Sequence, residues 1–158
     1  MSIIIALFHV MSEMLANQYF MVRKYSLAKE EYERLFFAGN SDDCIIKKLI
    51  VCYVVLKELD KALPLFYDLV KRNSRIIINT KLNEEDCPCP EIIPHILIND
   101  IKYESEDAKT LALAILSLYC DINESIQYFS ILADKKGSEI ISEVINILSE
   151  IRFNNFKT

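Results

Sequence analysis

Cys87 and Cys89, on either side of Pro88, and His95 shortly after them carry side chains that could hold a metal ion or pass electrons. Thiolate sulfur and imidazole nitrogen are the usual ligands of zinc. A structural zinc site takes four ligands, usually with Cys-x-x-Cys spacing, and neither that spacing nor a fourth ligand is evident. A redox dithiol ordinarily has two residues between its cysteines at a helix start. Cys87 and Cys89 therefore read as loop thiols, and no cofactor is expected. Cys44, Cys52 and Cys120 fall at helical positions and read as small apolar residues. Five cysteines form an odd set without disulfide-framework spacing, which suits a reducing, cytoplasmic compartment.

Acid–base chemistry has little to work with. The chain holds two histidines, His9 and His95, and no Gly-x-Ser-x-Gly, phosphate-loop or His-Glu-x-x-His pattern. The acidic runs Glu30-Glu31, Asp42-Asp43 and Glu84-Glu85-Asp86 read as solvated surface or as charges suited to helix N-termini. An enzyme is not expected. Nor is a nucleic-acid binder, because Asp and Glu outnumber Lys and Arg 23 to 18 and the net charge is -5.

At 158 residues, 52% of them hydrophobic, the chain is expected to fold as one domain with a sizeable core. The start, MSIIIALFHV, lacks the basic region and small-residue cleavage site of a secretory signal. Its apolar run breaks at His9, Ser12 and Glu13, so membrane insertion is not expected.

The elements that must position these side chains are helices. Leu15, Tyr19 and Val22 lie three to four apart, as do Ala28, Tyr32, Leu35 and Phe36. Leu49, Tyr53 and Leu56 follow the same spacing, and so do Ala62, Phe66, Leu69 and Val70. The only glycines, Gly39 and Gly137, follow such stretches, where a left-handed residue would close a helix.

The pattern also recurs. Leu15 and Leu49, Tyr19 and Tyr53, Tyr25 and Leu59, Ala28 and Ala62, Tyr32 and Phe66, and Leu35 and Leu69 are each separated by 34 residues. Two helices in about 34 residues is the tetratricopeptide period. Each such hairpin needs a neighbour to cover its apolar face. Ala16, Ala28 and Ala62 suit close helix approach, with Tyr19, Tyr32, Tyr53 and Phe66 filling the gaps between hairpins.

Leu15-Ala16-x-x-Tyr19 with Tyr25-x-x-Ala28-x-x-x-Tyr32 resembles the tetratricopeptide repeat family. So does Leu49-Ile50-x-x-Tyr53 with Leu59-x-x-Ala62-x-x-x-Phe66. Ser12 and Ile50 depart from the family pattern, Asn40 and Ser74 stand where a proline commonly closes the unit, and Pro64 falls near the first turn of a helix. Leu113, Leu116, Ile122, Ser125, Phe129 and Leu132 repeat the spacing of Ile50, Tyr53, Leu59, Ala62, Phe66 and Leu69, which gives a third unit. The resemblance implies an all-α fold of antiparallel helical hairpins, an α-solenoid, with units at about 9–42, 43–76 and 106–139. A capping helix is expected at about 138–153, with Ile140, Val144, Ile147, Leu148 and Ile151 on its apolar stripe and Glu143, Asn146 and Glu150 opposite.

Between the second and third units, at about 77–105, lies an insertion in which Pro88, Pro90 and Pro94 argue against regular helix. The isoleucine-rich segments Arg75 to Leu82 and His95 to Tyr103 are expected to pair as a short β-hairpin or to lie extended over the helices.

In this family the first helix of each hairpin lines a concave groove. The resemblance places Val10, Glu13, Asn17 and Phe20 there from unit one, Cys44, Lys47, Val51 and Val54 from unit two, and Asp107, Thr110, Ala114 and Ser117 from unit three. Some members hold an acidic chaperone tail through Lys, Arg and Asn; here Asn17 fits, but Glu13, Val51, Asp107 and Leu111 do not supply the rest. The expected function is an adaptor, chaperone-like or assembly subunit that binds a helical or extended segment of another protein. The alternatives are packing of Phe20, Val51 and Val54 against the insertion or a neighbouring subunit, a structural subunit of a stable complex or homodimer through the apolar N-terminus and last helix, and a metal- or redox-responsive loop at Cys87, Cys89 and His95.

Overall fold

Two backbone turns, 34 residues apart, set the architecture, and neither uses glycine. Arg23 and Lys57 adopt left-handed φ of 63° and 66°. After the first, the Lys24 amide donates to the Tyr19 carbonyl (2.9 Å) and the Arg23 amide to Phe20 (3.1 Å). After the second, Glu58 donates to Tyr53 (2.8 Å) and Lys57 to Val54 (3.1 Å). These are paired Schellman closures, built at a cost of about 1–2 kcal/mol for each non-glycine left-handed residue. Tyr19 and Tyr53 thus hold the same place at the ends of equivalent helices.

The structure is a computed structural model that describes residues 2–135 and 137–157. Met1, Lys136 and Thr158, which fall at the domain ends and within the expected third unit, lie outside the described residues. The helices are α1 (Ser2–Met21), α2 (Tyr25–Phe37), α3 (Asp43–Val55), α4 (Leu59–Asn73), α5 (Arg75–Ile78), α6 (Ile92–Leu97), α7 (Glu106–Ser117), α8 (Ile122–Lys135) and α9 (Glu139–Asn155). No strand occurs among the described residues. The fold is all-α.

Short connections turn α2 back along α1, α4 along α3 and α8 along α7. Neighbours pack in chain order: α2 also meets α3, while α4 meets α7 and α9. Ala28 and Ala62 are wholly buried where the paired helices approach, and Tyr32 and Phe66 are buried one turn later. In the third pair Ser125 takes the small-residue position and donates its hydroxyl to the Ala114 carbonyl at 2.7 Å. Phe66 stacks on Phe129, its counterpart in that pair, with centroids 5.8 Å apart. Leu15 is exposed whereas Leu49 is buried.

α3 starts at Asp42, whose carboxylate accepts the Cys44 amide at 2.7 Å. Asp43 ties α3 to α4 through Arg72 and through Asn73 at 2.8 Å. Burial would raise the Asp43 carboxyl, but the Asn73 and Arg72 hydrogen bonds outweigh it and hold the group below its ordinary value.

The insertion differs from the expected β-hairpin. Arg75–Ile78 and Ile92–Leu97 are short helices. Pro94 is tolerated as the third residue of α6, where a backbone N–H would have no intrahelical acceptor. Pro64, by contrast, lies inside α4, a turn deeper than the sequence placed it. Along α9 the wholly or nearly buried stripe is Ile141, Val144 and Leu148, with Ile140 only half-buried.

Two measurements check this packing. Phe66→Ala should lower unfolding free energy by about 3–5 kcal/mol, whereas Phe37→Ala, at an exposed position, should cost less than about 0.5 kcal/mol in urea titrations. Because the folded Asp43 pKa is depressed, its stabilisation is complete above the ordinary aspartate value of 3.8. The stability gap between wild type and Asp43→Asn should therefore be full at neutral pH and close as acid protonates the folded carboxyl.

Candidate functional site

The face on which the sequence places a groove is largely covered. Of its twelve expected residues, Phe20, Lys47, Val51, Val54, Ala114 and Ser117 are buried. Glu13, Asn17, Asp107 and Thr110 are half-buried, and Val10 and Cys44 are exposed. Asn17 is engaged internally: its side-chain oxygen accepts the Tyr32 hydroxyl at 2.7 Å and the Lys48 ammonium at 3.0 Å. It thereby ties α1 to α2 and α3. Asp107 pairs with Lys135 at 3.1 Å, and the Thr110 hydroxyl donates to the Glu106 carbonyl.

The cover is the insertion and the segment after it. Ile77, Ile92 and Ile96 enter the core. Arg23 pairs with Glu91 at 2.5 Å. The Tyr103 hydroxyl donates to the Val54 carbonyl (2.7 Å), and that of Tyr119 to Lys47 (2.6 Å). Burial raises the pKa of both phenols, which keeps them protonated as donors.

Lys47 makes the most consequential contact. Its ammonium, on a side chain only 6% exposed, lies 3.0 Å from Asp86 and 3.6 Å from Glu84, and 5.9 Å above the Tyr119 ring. The sequence read Glu84-Glu85-Asp86 as solvated; Asp86 is in fact buried, because Lys47 needs an anion there. What stays open of the groove is a cleft of about 760 Å³ that includes Cys44, Lys47, Lys48, Asn73, Arg75 and Asn79.

The cysteines are arranged otherwise than expected. Cys120, read as a helical apolar residue, lies just beyond α7 and is disulfide-bonded to Cys89 across a Cα separation of 6.0 Å. Cys87 is a buried thiol whose Sγ is 3.2 Å from Cys89 Sγ. All three sulfurs lie within 4.8 Å of one another. His95 is not in this group; its Nδ1 is 2.9 Å from Asp100 instead. Nothing in the spacing marked Cys120, since folding of the insertion onto the α7–α8 connection is what brings it in. Cys44 and Cys52 stand apart, with thiols pushed up by burial, Cys52 far more than Cys44.

The remaining surface feature is α1. Ile3, Ile4, Leu7, Phe8, Met11 and Met14 are all exposed, while Ser12, Ala16 and Phe20 pack inward. The helix runs on through His9, Ser12 and Glu13, the residues that interrupt its apolar run. With a mean hydropathy of 1.2, it is long and apolar enough to cross a membrane by length and composition. Phe8, Met11, Met14 and Leu15, with Gln18, Glu31 and Arg34, line a groove of about 450 Å³ between α1 and α2.

No protein-family model matches the chain, and neither curated proteins nor solved structures give a match.

Asp86→Ala would strand the Lys47 ammonium with Glu84 alone. Guanidinium-chloride unfolding should show a loss of about 3 kcal/mol, the low end of the range for one deleted partner of a buried pair. The double variant Lys47→Met/Asp86→Leu should lose much less, or gain, since it removes both charges together.

Proposed function

We propose that the chain is a tetratricopeptide-like repeat adaptor whose partner contributes an amphipathic helix that docks along α1. The observation that carries this reading is the run of exposed apolar side chains from Ile3 to Met14 on a helix whose inner side is packed in the core. Within the chain, α2 lies between its own partner α1 and the next first helix, α3, and α4 likewise meets α7. Among the described helices, α1 packs mainly on α2, and its other side is exposed. A helix with apolar residues at i, i+3, i+4 and i+7 fills that position with the same ridge-and-groove packing.

The rim supports a protein occupant. Glu31 and Arg34, 2.9 Å apart, border the apolar groove with Gln18, giving polar partners at its edge. The insertion already fills the groove face at Val51 and Val54, which leaves α1 as the larger unpartnered apolar surface. On this reading the protein is an assembly or adaptor subunit, and no residue is assigned a catalytic role.

A photoreactive benzophenone amino acid in place of Phe8, irradiated in native cells, tests the proposal. The expected adduct maps to an amphipathic helix of a different protein and is lost in Met11→Asp/Met14→Asp. Both positions are exposed, so that variant should keep its thermal stability within about 0.5 kcal/mol per site. Adducts confined to lipid, to a second copy of the chain, or to nothing would overturn the proposal.

A further inference from the structure

We infer that Cys87, Cys89 and Cys120 form a three-thiolate site for a zinc-class cation, and that the Cys89–Cys120 disulfide is its oxidised, metal-free state. The site is independent of the adaptor reading. It joins two connections, α5–α6 and α7–α8, that are 31 residues apart in sequence.

The geometry fits. Zinc–sulfur bonds of about 2.3 Å place the sulfurs of a tetrahedral site about 3.8 Å apart. Here Cys87 Sγ and Cys89 Sγ are 3.2 Å apart, and all three sulfurs lie within 4.8 Å. Opening the disulfide allows the small separation that remains. Soft thiolates select zinc-class and monovalent copper cations over hard ones. Burial falls from Cys87, which is buried, through half-buried Cys89 to exposed Cys120. A metal held there has protein beneath it and solvent on one side, where water completes the tetrahedron.

The surroundings hold the ligands in place. The Cys87 amide donates to the Glu84 carbonyl (3.1 Å), the Ile93 amide to Pro88 (2.9 Å) and the Cys120 amide to Ser117 (2.9 Å). Lys47 contacts both Asp86, the neighbour of Cys87, and Tyr119, the neighbour of Cys120. These contacts tie the chain on either side of the sulfur cluster to α3.

The conversion balances. A dithiol reductant passes two electrons and two protons to the Cys89–Cys120 bond and closes to its own disulfide, leaving three cysteine thiols. One divalent cation then binds three sulfurs, and three protons leave for solvent. In either state the insertion stays stapled to the α7–α8 connection; only the reduced state takes metal.

The test is cobalt and zinc titration of protein reduced with dithiothreitol, desalted and kept anaerobic. One cobalt per chain should bind with thiolate-to-metal charge-transfer bands and be displaced by zinc, releasing close to three protons below the thiol pKa range. Cys87→Ser and Cys120→Ser should each weaken binding by more than the roughly 10–100-fold that loss of a supporting residue costs. Cys44→Ser, Cys52→Ser and His95→Ala should leave binding unchanged, and air-oxidised protein should bind none. Circular dichroism separates lost ligation from lost folding. If a serine variant fails to fold, the reduced-against-oxidised comparison on wild type still decides. Failure of folded, reduced wild type to bind one equivalent would overturn the site, as would Cys120→Ser binding like wild type or His95→Ala abolishing it.

Discussion

From Ile45 onward α3 is buried around most of its circumference. Ile45, Ile46, Lys47 and every residue from Leu49 to Val54 are buried. A helix this largely apolar must be covered on more than one side, and two flanking hairpins cover only part of it. Left uncovered, Val51 and Val54 would keep apolar surface worth about 25 cal/mol per Å² in water. The insertion and the Tyr103 segment complete the enclosure, and this explains why a proline-rich stretch is ordered at all. Its isoleucines Ile77, Ile92 and Ile96 are its share of the core.

Enclosure has an electrostatic consequence. Lys47 lies on the covered side, and an ammonium without a partner in such surroundings is unfavourable by several kcal/mol. Asp86 and Glu84 are brought to it by the same segment that removes the water. Closure and neutralisation are therefore achieved by the same segment in the observed register of the insertion on α3. The neighbouring Cys87 inherits that register. Placement of its sulfur beside Cys89 and Cys120 is a by-product of pairing Lys47, with the Tyr119 hydroxyl on the Lys47 carbonyl fixing the other half.

The sequence disclosed the parts governed by local rules. The 34-residue offset is visible because Ala28, Tyr32 and Leu35 must meet the same neighbours as Ala62, Phe66 and Leu69, and all six are buried. Three of the four left-handed closures among the described residues escaped it. Gly39 advertises one, but Arg23, Lys57 and Asn99 adopt φ of 62–66° without glycine. Their hydrogen bonds and the packing that follows each turn override the side-chain preference. The insertion was misread for a related reason. Pro94 excludes helix only where its missing N–H matters, and α6 begins two residues earlier. Cys120 and the buried Asp86 were invisible because long-range folding, not spacing, gives them their partners.

The two ends of the molecule then differ in kind. At the α9 end the stack closes with Ile141, Val144 and Leu148 turned inward and the Tyr67 hydroxyl donating to Glu143, so that helix is tied down by both apolar and polar contacts. At the α1 end Ser12, Ala16 and Phe20 are buried and Asn17 and Tyr19 pack inward, while Ile3, Ile4, Leu7, Phe8 and Met11 meet water. Burial of the same apolar side chains is favourable wherever it is achieved, so an exposed apolar face of this size favours packing against another surface. The stapled insertion makes that preference directional. With much of the groove face buried, the proposed partner helix would find its apolar surface on the outside of the first hairpin.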